Sequence, residues 1–329
     1  MTIKLSDKHI WIEPTDADLA GAAADAGATA LVLPAGQDTA GLPRVGAGGD
    51  FEDGRDFERY RIECEADEAA VRRDRLAVVE PAEWTIIPAE NLIARGAQVI
   101  QVVDDAEQAR LALTIMEQGV AGIWLRHADA ETIGALGRML AELAPSPVEL
   151  TDARITRISP VGMGDRSCLD LIGELAPGEG LLVGSFNHAR FLIHSENVDN
   201  PHCAARPFRV NAGAIHGYLV TPGDRVRYLA EMASGDPALV VAADGRTRTL
   251  ALGRNKIERR PMVQIEAVDE DGNRFSAILQ HAETIRLVSP EGRAVSVLDL
   301  NLGDRVRVSL AEHGGRHFGR RVDETINER

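Results

Sequence analysis

The sequence predicts an α/β part followed by a β part. Residues 1–158 form an N-terminal parallel α/β domain, like an incomplete TIM barrel, and residues 159–329 an antiparallel, barrel-like β domain. Three observations carry this. Apolar runs of strand length alternate with helix-length segments through the first part, as parallel strands with crossover helices require. After Ser159 the helical periodicity stops. From there turn signals recur (GEG at 178–180, ADGR at 243–246, DEDGN at 269–273, PEGR at 290–293, LGD at 302–304), with short β-rich runs between them.

In order, HIWI at 9–12 is the first strand. Asp16 caps an Ala-rich helix over 17–26, which Gly27 closes. TALVL at 29–33 is a buried strand stopped by Pro34, and 37–56 is a Gly- and Asp-rich loop. Its VGAGGD cluster neither follows a strand nor opens a helix, so it is no dinucleotide fingerprint. Next come a strand over 57–64, a charged helix over 67–76, strands over 84–87 and 98–103, and a helical turn opened by Pro88 between them. A helix over 104–119, a strand at 122–125, a helix over 129–143 and a strand at 148–150 complete this part. Ligands on such sheets meet the carboxyl ends of the strands, where Glu13, Glu90, Asn91, Asp104, Arg126 and His127 stand. In the β part, strands are expected at 181–183, 190–196, 226–229, 238–241, 247–252, 253–260, 262–267, 275–279, 284–288, 295–298 and 305–310, with a short polar helix past 322.

The chain has 329 residues and a net charge of −15, which argues against a general nucleic-acid binder. No apolar run reaches membrane-spanning length and the start lacks a signal-peptide core, so a cytoplasmic protein acting on a small molecule is expected, with no membrane partner. A homo-oligomer is compatible with the sequence. Cys64, Cys168 and Cys203 form no CxxC pair and read as small apolar fillers. Aromatics make up only 4% of residues, which disfavours a non-catalytic interaction module.

Reactive side chains concentrate between Asp165 and Tyr218. If 190–196 is extended, Leu192, His194 and Glu196 share one face, so His194 and Glu196 could hold a divalent metal, or the carboxylate could orient the imidazole. A solvated His–Glu pair is the plainer alternative. In GRNKIERR at 253–260, extended chain puts Arg254, Lys256, Glu258 and Arg260 on one face, an anion clamp around one of only three lysines. Neighbouring cations and desolvation would then lower the Lys256 pKa towards proton transfer or Schiff-base use. A solvated charged strand is the alternative. HGGRHFG at 313–319 fits no standard metal spacing.

Taken together, WTIIPAENLIA (84–94), VGMGDRSCLD (161–170), GEGLLVGSF (178–186), FLIHSE (191–196), RPFRVNAGAIHGY (206–218), GRNKIERRP (253–261), LQHAETIRLV (279–288) and RHFG (316–319) resemble the type II 3-dehydroquinate synthases. The resemblance implies an enzyme that deaminates a linear C7 amino-keto acid, 2-amino-3,7-dideoxy-D-threo-hept-6-ulosonate, with NAD, and closes it to 3-dehydroquinate for aromatic amino acid synthesis. A related bacterial branch makes 3-amino-4-hydroxybenzoate with a divalent metal such as manganese (Mn2+). Ser167, the Ile172–Gly173 pair and the Arg-rich composition lean towards that branch.

The chemistry common to both branches assigns residues as follows. Lys256, Glu258, His194 and Asp165 are the catalytic candidates. Arg166, Arg206, Arg209, Asn211 and Arg260 are the substrate-binding candidates, with an arginine fork on the substrate carboxylate. His194, Glu196 and His216 are the metal candidates. NAD rests on the resemblance alone.

Overall fold

The structure is a computed structural model that describes residues 5–116, 118–144, 146–200, 202–223 and 225–311, and the backbone of 315–317 and 320–322. The chain divides into two compact units, Met1–Ala144 and Pro145–Arg329. The position 158/159, where the sequence changes texture, falls inside a strand of the second unit.

In the first unit, β1 (His9–Pro14), β2 (Ala30–Val32), β3 (Arg44–Val45), β4 (Phe57–Ile62), β5 (Leu76–Pro81), β6 (Gln98–Val103) and β7 (Gly122–Ala128) form one parallel sheet in the order β3-β2-β1-β7-β6-β5-β4. Side-chain alternation gives it two faces. Ile10, Ile12, Val79, Val99, Ile123 and Leu125 pack with residues of α1 (Ala20–Asp25), α3 (Ile86–Ala94), α4 (Ala106–Thr114) and α5 (Ala130–Leu143). The helix α2 (Glu65–Ala70) precedes β5. Trp11, Val78, Ile100 and Trp124 point the other way into a cluster that contains no helical residue. The helices therefore cover one face only.

One expectation fails here, and one strand stands where the sequence assigns none. Residues 84–87 are not a strand, because Ile86 and Ile87 open α3, and residues 76–81, which carry no strand assignment, are one. Pro88 sits in the first turn of that helix, where a missing N–H loses no bond, so the proline that suggested a boundary is internal. The run LAVVEP is a strand because β4 and β6 flank it on both edges.

The second unit is one antiparallel sheet of β8 (Thr151–Leu171), β9 (Glu179–Phe186), β10 (Ala189–His194), β11 (Arg209–Ala214), β12 (Tyr218–Thr221), β13 (Arg225–Tyr228), β14 (Pro237–Ala242), β15 (Thr247–Val268), β16 (Arg274–Gln280), β17 (Arg286–Val288), β18 (Ala294–Ser296) and β19 (Arg305–Leu310). The pairings run in a ring: β9 to β14, β15, β8, β19, β10 and back to β9. All six ring strands feed one apolar core, through residues such as Ile155, Leu181, Phe191, Val240, Val263 and Val306. The expected strands at 247–252, 253–260 and 262–267 are a single strand, β15. β20 (Gly315–His317) and β21 (Arg320–Val322) pair separately. The expected helix past 322 and the side chains of 313–319 lie outside the described residues.

Close backbone approach fixes the β9–β10 register. A Cβ at Gly180 would lie 1.9 Å from the Ile193 carbonyl oxygen. Gly180→Ala is expected to destabilise the protein by about 1–3 kcal/mol. Gly21, inside α1, has no heavy atom outside its own helix within 4 Å of an added Cβ. Gly21→Ala is expected to be neutral or stabilising by about 0.5–1 kcal/mol. Urea denaturation followed by circular dichroism measures both, and equal midpoints would contradict this packing.

Candidate functional site

Three of the segments singled out in the sequence lie side by side as β11, β8 and β15. Their register sets rows across the sheet, and residues directly opposite share a face. Arg209, Asp170 and Arg254 form one row; Asn211, Cys168 and Lys256 the next; Ala214, Arg166 and Glu258 the third; Gly164 and Arg260 the last. The alternate positions Leu169 and Val210 face the apolar core. One face of three strands thus carries Arg166, Arg209, Arg254, Lys256 and Arg260 against Asp170 and Glu258. Glu196 and Arg206 join beside it, since Glu196 N–H donates to the Arg209 carbonyl and the two residues form an isolated bridge.

Each carboxylate holds its cations. Asp170 accepts from Arg209 Nε at 2.6 Å and Nη2 at 2.9 Å, and from Arg254 Nε at 2.9 Å. Burial pushes its carboxyl up, but the hydrogen bonds and charges of Arg209 and Arg254 outweigh it and hold the group below the usual carboxylate range. Glu258 accepts from Arg166 Nη2 at 2.5 Å, lies 3.1 Å from Lys256 Nζ and accepts from Arg260 Nη2 at 3.0 Å. The Lys256 hydrogen bond, helped by the charges of Arg166 and Arg260, keeps Glu258 ionised below the usual range. Arg206 Nη1 lies 3.3 Å from Glu196 Oε2 and 3.0 Å from Cys203 Sγ. Cys168, fully buried in the middle row, has its thiol pushed up to about 11 by burial, against the charges of Arg166 and Arg209, so it stays protonated near neutrality.

The hydrogen-bond inventory separates Arg166 from the other arginines. It is 7% exposed, and Nη2 holds Glu258. Its Nε and Nη1 are buried with no partner. On the same face, Asn211 donates Nδ2–H to Gln280 Oε1 at 2.8 Å, while its Oδ1 is buried and also without a partner. A buried donor or acceptor left unmatched costs about 1–3 kcal/mol, more when charged, so these atoms are the part of the cluster that a ligand can improve.

The proposed metal ligands are not assembled. β10 ends at His194, so the alternation expected through Glu196 breaks there. His194 is 3% exposed; its Nε2 accepts from Gly178 N–H at 3.0 Å and its Nδ1–H donates to the Ser195 carbonyl at 2.7 Å. Both ring nitrogens are spent on backbone: Nδ1 carries the proton and the Nε2 lone pair is taken, so none is left for a metal. Glu196 faces Arg206 instead. His216 is exposed in the turn after β11 and lines a separate cavity of about 350 Å3 with Phe186, Gln264, Glu266, Arg274 and Ser276. Among the described residues no three His, Cys, Asp or Glu side chains group as a metal site. These residues do not fit manganese.

Asp165 is exposed and pairs with Arg259, on the opposite side of β8 from Arg166. It does not join the cluster. Lys256 is 44% exposed and 3.1 Å from the Glu258 carboxylate, which is not the desolvated setting expected for a Schiff-base lysine. Asp170 and Gln280 were not among the candidates. Asp170 has the same two-residue spacing from Arg166 through Cys168 that the strand alternation makes meaningful, whereas Gln280 gives no signal before β16 is placed against β11.

In the first unit, a cavity of about 640 Å3 lies at the carboxyl ends of β4 and β5, lined by Arg61, Glu63, Glu65, Glu68, Glu83 and Trp84 among others. Four carboxylates do not fit a dinucleotide pyrophosphate. Glu90 and Asn91 lie within α3, where Asn91 Nδ2 donates to Glu68 at 3.0 Å. Arg126 is fixed between Asp104 and Glu80.

His194 therefore has a structural role with a pH signature. Burial holds its pKa below 6.5, with the Arg286 charge adding to the effect. The unfolded chain binds the proton first as pH falls, so stability is lost from about pH 6.5 downwards. His194→Ala is expected to flatten that slope in chemical denaturation and to lower stability by about 1–3 kcal/mol for each backbone group left unmatched. An unchanged midpoint would contradict the assignment.

Comparison with known proteins supplies the family. The 3-dehydroquinate synthase II N-terminal domain model matches residues 7–140, and the C-terminal domain model matches residues 152–329. A 3-dehydroquinate synthase of Methanoculleus marisnigri is 45% identical over 98% of this chain and all of its own length. A 3-dehydroquinate synthase homolog of Aquifex aeolicus is 41% identical over 97% of this chain and 98% of its own. A 3-dehydroquinate synthase of Methanocaldococcus jannaschii is 44% identical over 77% of this chain and 70% of its own. The family models account for both structural units, and the chain belongs to the 3-dehydroquinate synthase II family of enzymes.

Proposed function

We propose that this enzyme converts 2-amino-3,7-dideoxy-D-threo-hept-6-ulosonate into 3-dehydroquinate, by oxidative deamination at C2 followed by intramolecular aldol closure. The observation that supports this reading is the meeting of three family-like blocks, VGMGDRSCLD, RPFRVNAGAIHGY and GRNKIERRP, on one cation-rich face in a chain of net charge −15. A local cationic surface in an acidic protein suits a small carboxylate substrate.

Deamination needs a hydride acceptor, and the family resemblance implies NAD. This chain's described residues are given no role towards it. In the ring-closing step, C7, next to the C6 ketone, passes a proton to solvent water, the new carbanion attacks the C2 ketone, and the resulting alkoxide takes up a proton. Lys256 Nζ, aimed by Glu258, supplies that proton. Glu258 is a weak base in its setting, so its part is to orient Lys256, Arg166 and Arg260. Holding the carboxylate end in place removes much of the entropic barrier to bringing C7 onto C2.

Incubating purified protein with the amino-heptulosonate and NAD should yield NADH, ammonia and 3-dehydroquinate in equal amounts. An aromatic amine formed with manganese and without NADH would replace this reading by the aminobenzoate reaction. Lys256→Met should lower kcat by about 10²–10⁴-fold, and wild-type kcat in that variant would remove Lys256 from the mechanism. Because the Glu258 pKa is depressed, its ordering contribution is present above the ordinary carboxylate range and is lost only as pH falls below it. Glu258→Gln should therefore impair turnover across the neutral range, with no recovery towards pH 5, measured as kcat/KM against pH.

A further inference from the structure

We infer that Arg166 and Asn211 form a subsite for an α-amino carboxylate head group, Arg166 taking the carboxylate and Asn211 Oδ1 the amine. The inference rests on the proposed function and deepens it by assigning the C1–C2 end of the substrate to particular atoms.

The choice of arginine follows from what each guanidinium already does. Arg209 spends Nε and Nη2 on Asp170, and Arg254 spends its Nε on the same carboxylate. Arg260 is divided between Glu258 and the Arg259 carbonyl, and Arg206 between Glu196 and Cys203. Arg166 alone among these keeps Nε and Nη1 buried and unmatched. Nη2, which Glu258 holds, belongs to both bidentate edges of the guanidinium, so Nε–H and Nη1–H offer a carboxylate separate charge-assisted hydrogen bonds, not a fork.

The amide supplies the opposite polarity. Asn211 Oδ1 is a buried acceptor without a donor. Asn211 faces Cys168, two residues along β8 from Arg166, and such diagonal neighbours lie about 7–8 Å apart at the backbone. Side chains of this length can converge from that separation on adjacent atoms of one ligand. Two unmatched donors and one unmatched acceptor match a carboxylate beside an ammonium, and Cys168 between them adds no charge. A carboxylate without a neighbouring amine would leave Oδ1 unmatched.

The long side chains of Lys256 and Arg260, 44% and 42% exposed, lie on the same face of β15 beside this row. Long exposed side chains change rotamer in picoseconds to nanoseconds.

The test leaves NAD out and uses ligands that cannot close a ring, so none of them reacts. Calorimetry would compare 2-aminoheptanoate, heptanoate and 2-aminoheptanamide on the full-length protein. The wild type should bind the first most tightly. Arg166→Met should abolish the preference for carboxylate over carboxamide, a loss of about 10²-fold, and keep the preference for the amine. Asn211→Leu should do the reverse. Arg166→Lys, which keeps the charge and loses the separate Nε and Nη1 donors, should show an intermediate loss, and it remains informative if the Met variant does not fold. A wild type indifferent to the amine, or Arg166 variants with unchanged ratios, overturns the subsite. If the ratios behave as stated and the amino-heptulosonate is not turned over, the proposed reaction fails and the subsite stands. If it is turned over while the ratios are flat, only the subsite fails.

Discussion

The antiparallel pairing of β8 with β15 is the constraint on which the site depends. The two strands run 21 and 22 residues and stay hydrogen-bonded along nearly all of it. That register places Glu258 opposite Arg166 and Arg254 opposite Asp170 across about ninety residues of intervening chain. A slip of one residue would send every one of these side chains to the other face, into the core that Leu169 and Val263 occupy. The ring of six strands resists such a slip, because β14, β19 and β11 each fix one edge of the pair.

The electrostatics follow from that geometry. The face is too crowded with cations to be stable as bare charge, and Asp170, Glu196 and Glu258 are spaced so that each holds at least one arginine. Exposed pairs of this kind add little stability. Buried ones such as Arg209–Asp170 are weak evidence for stability and better evidence for fixed orientation. Their effect is to hold donors in place before a substrate arrives, so that little reorganisation remains for the moment of reaction.

Much of this was legible in the sequence and some was not. Alternation alone put Arg254, Lys256, Glu258 and Arg260 on one face, and β15 carries them so. The same rule failed at His194 and Glu196 because alternation assumes a continuous strand, and β10 ends between them. The parallel sheet was legible as strand–helix alternation, but that pattern assigns the strand to WTII and leaves LAVVEP unassigned, since both are short apolar runs and only the neighbouring strands decide which is paired. Asp170 is marked by its alternation with Arg166 but not tied to Arg209, 39 positions away, and Gln280 could not be weighed, because its partner Asn211 lies 69 positions away.

Chemistry in this cluster is better found by counting hydrogen bonds than by counting charges. By charge alone, Arg166, Arg206, Arg209 and Arg260 were equal candidates for the substrate carboxylate, and the last three leave no buried donor unmatched. Arg166 is the least exposed of the four and the least conspicuous on a surface, yet it holds donors that the folded chain leaves unmatched. Burial makes this informative: in water an idle N–H is solvated and means nothing, whereas in a low-dielectric setting it is a standing cost that folding alone would have removed. Two idle donors and an idle acceptor on one face of neighbouring strands therefore point to a third party, and the complementary pattern of charge on that party is read from the atoms left over.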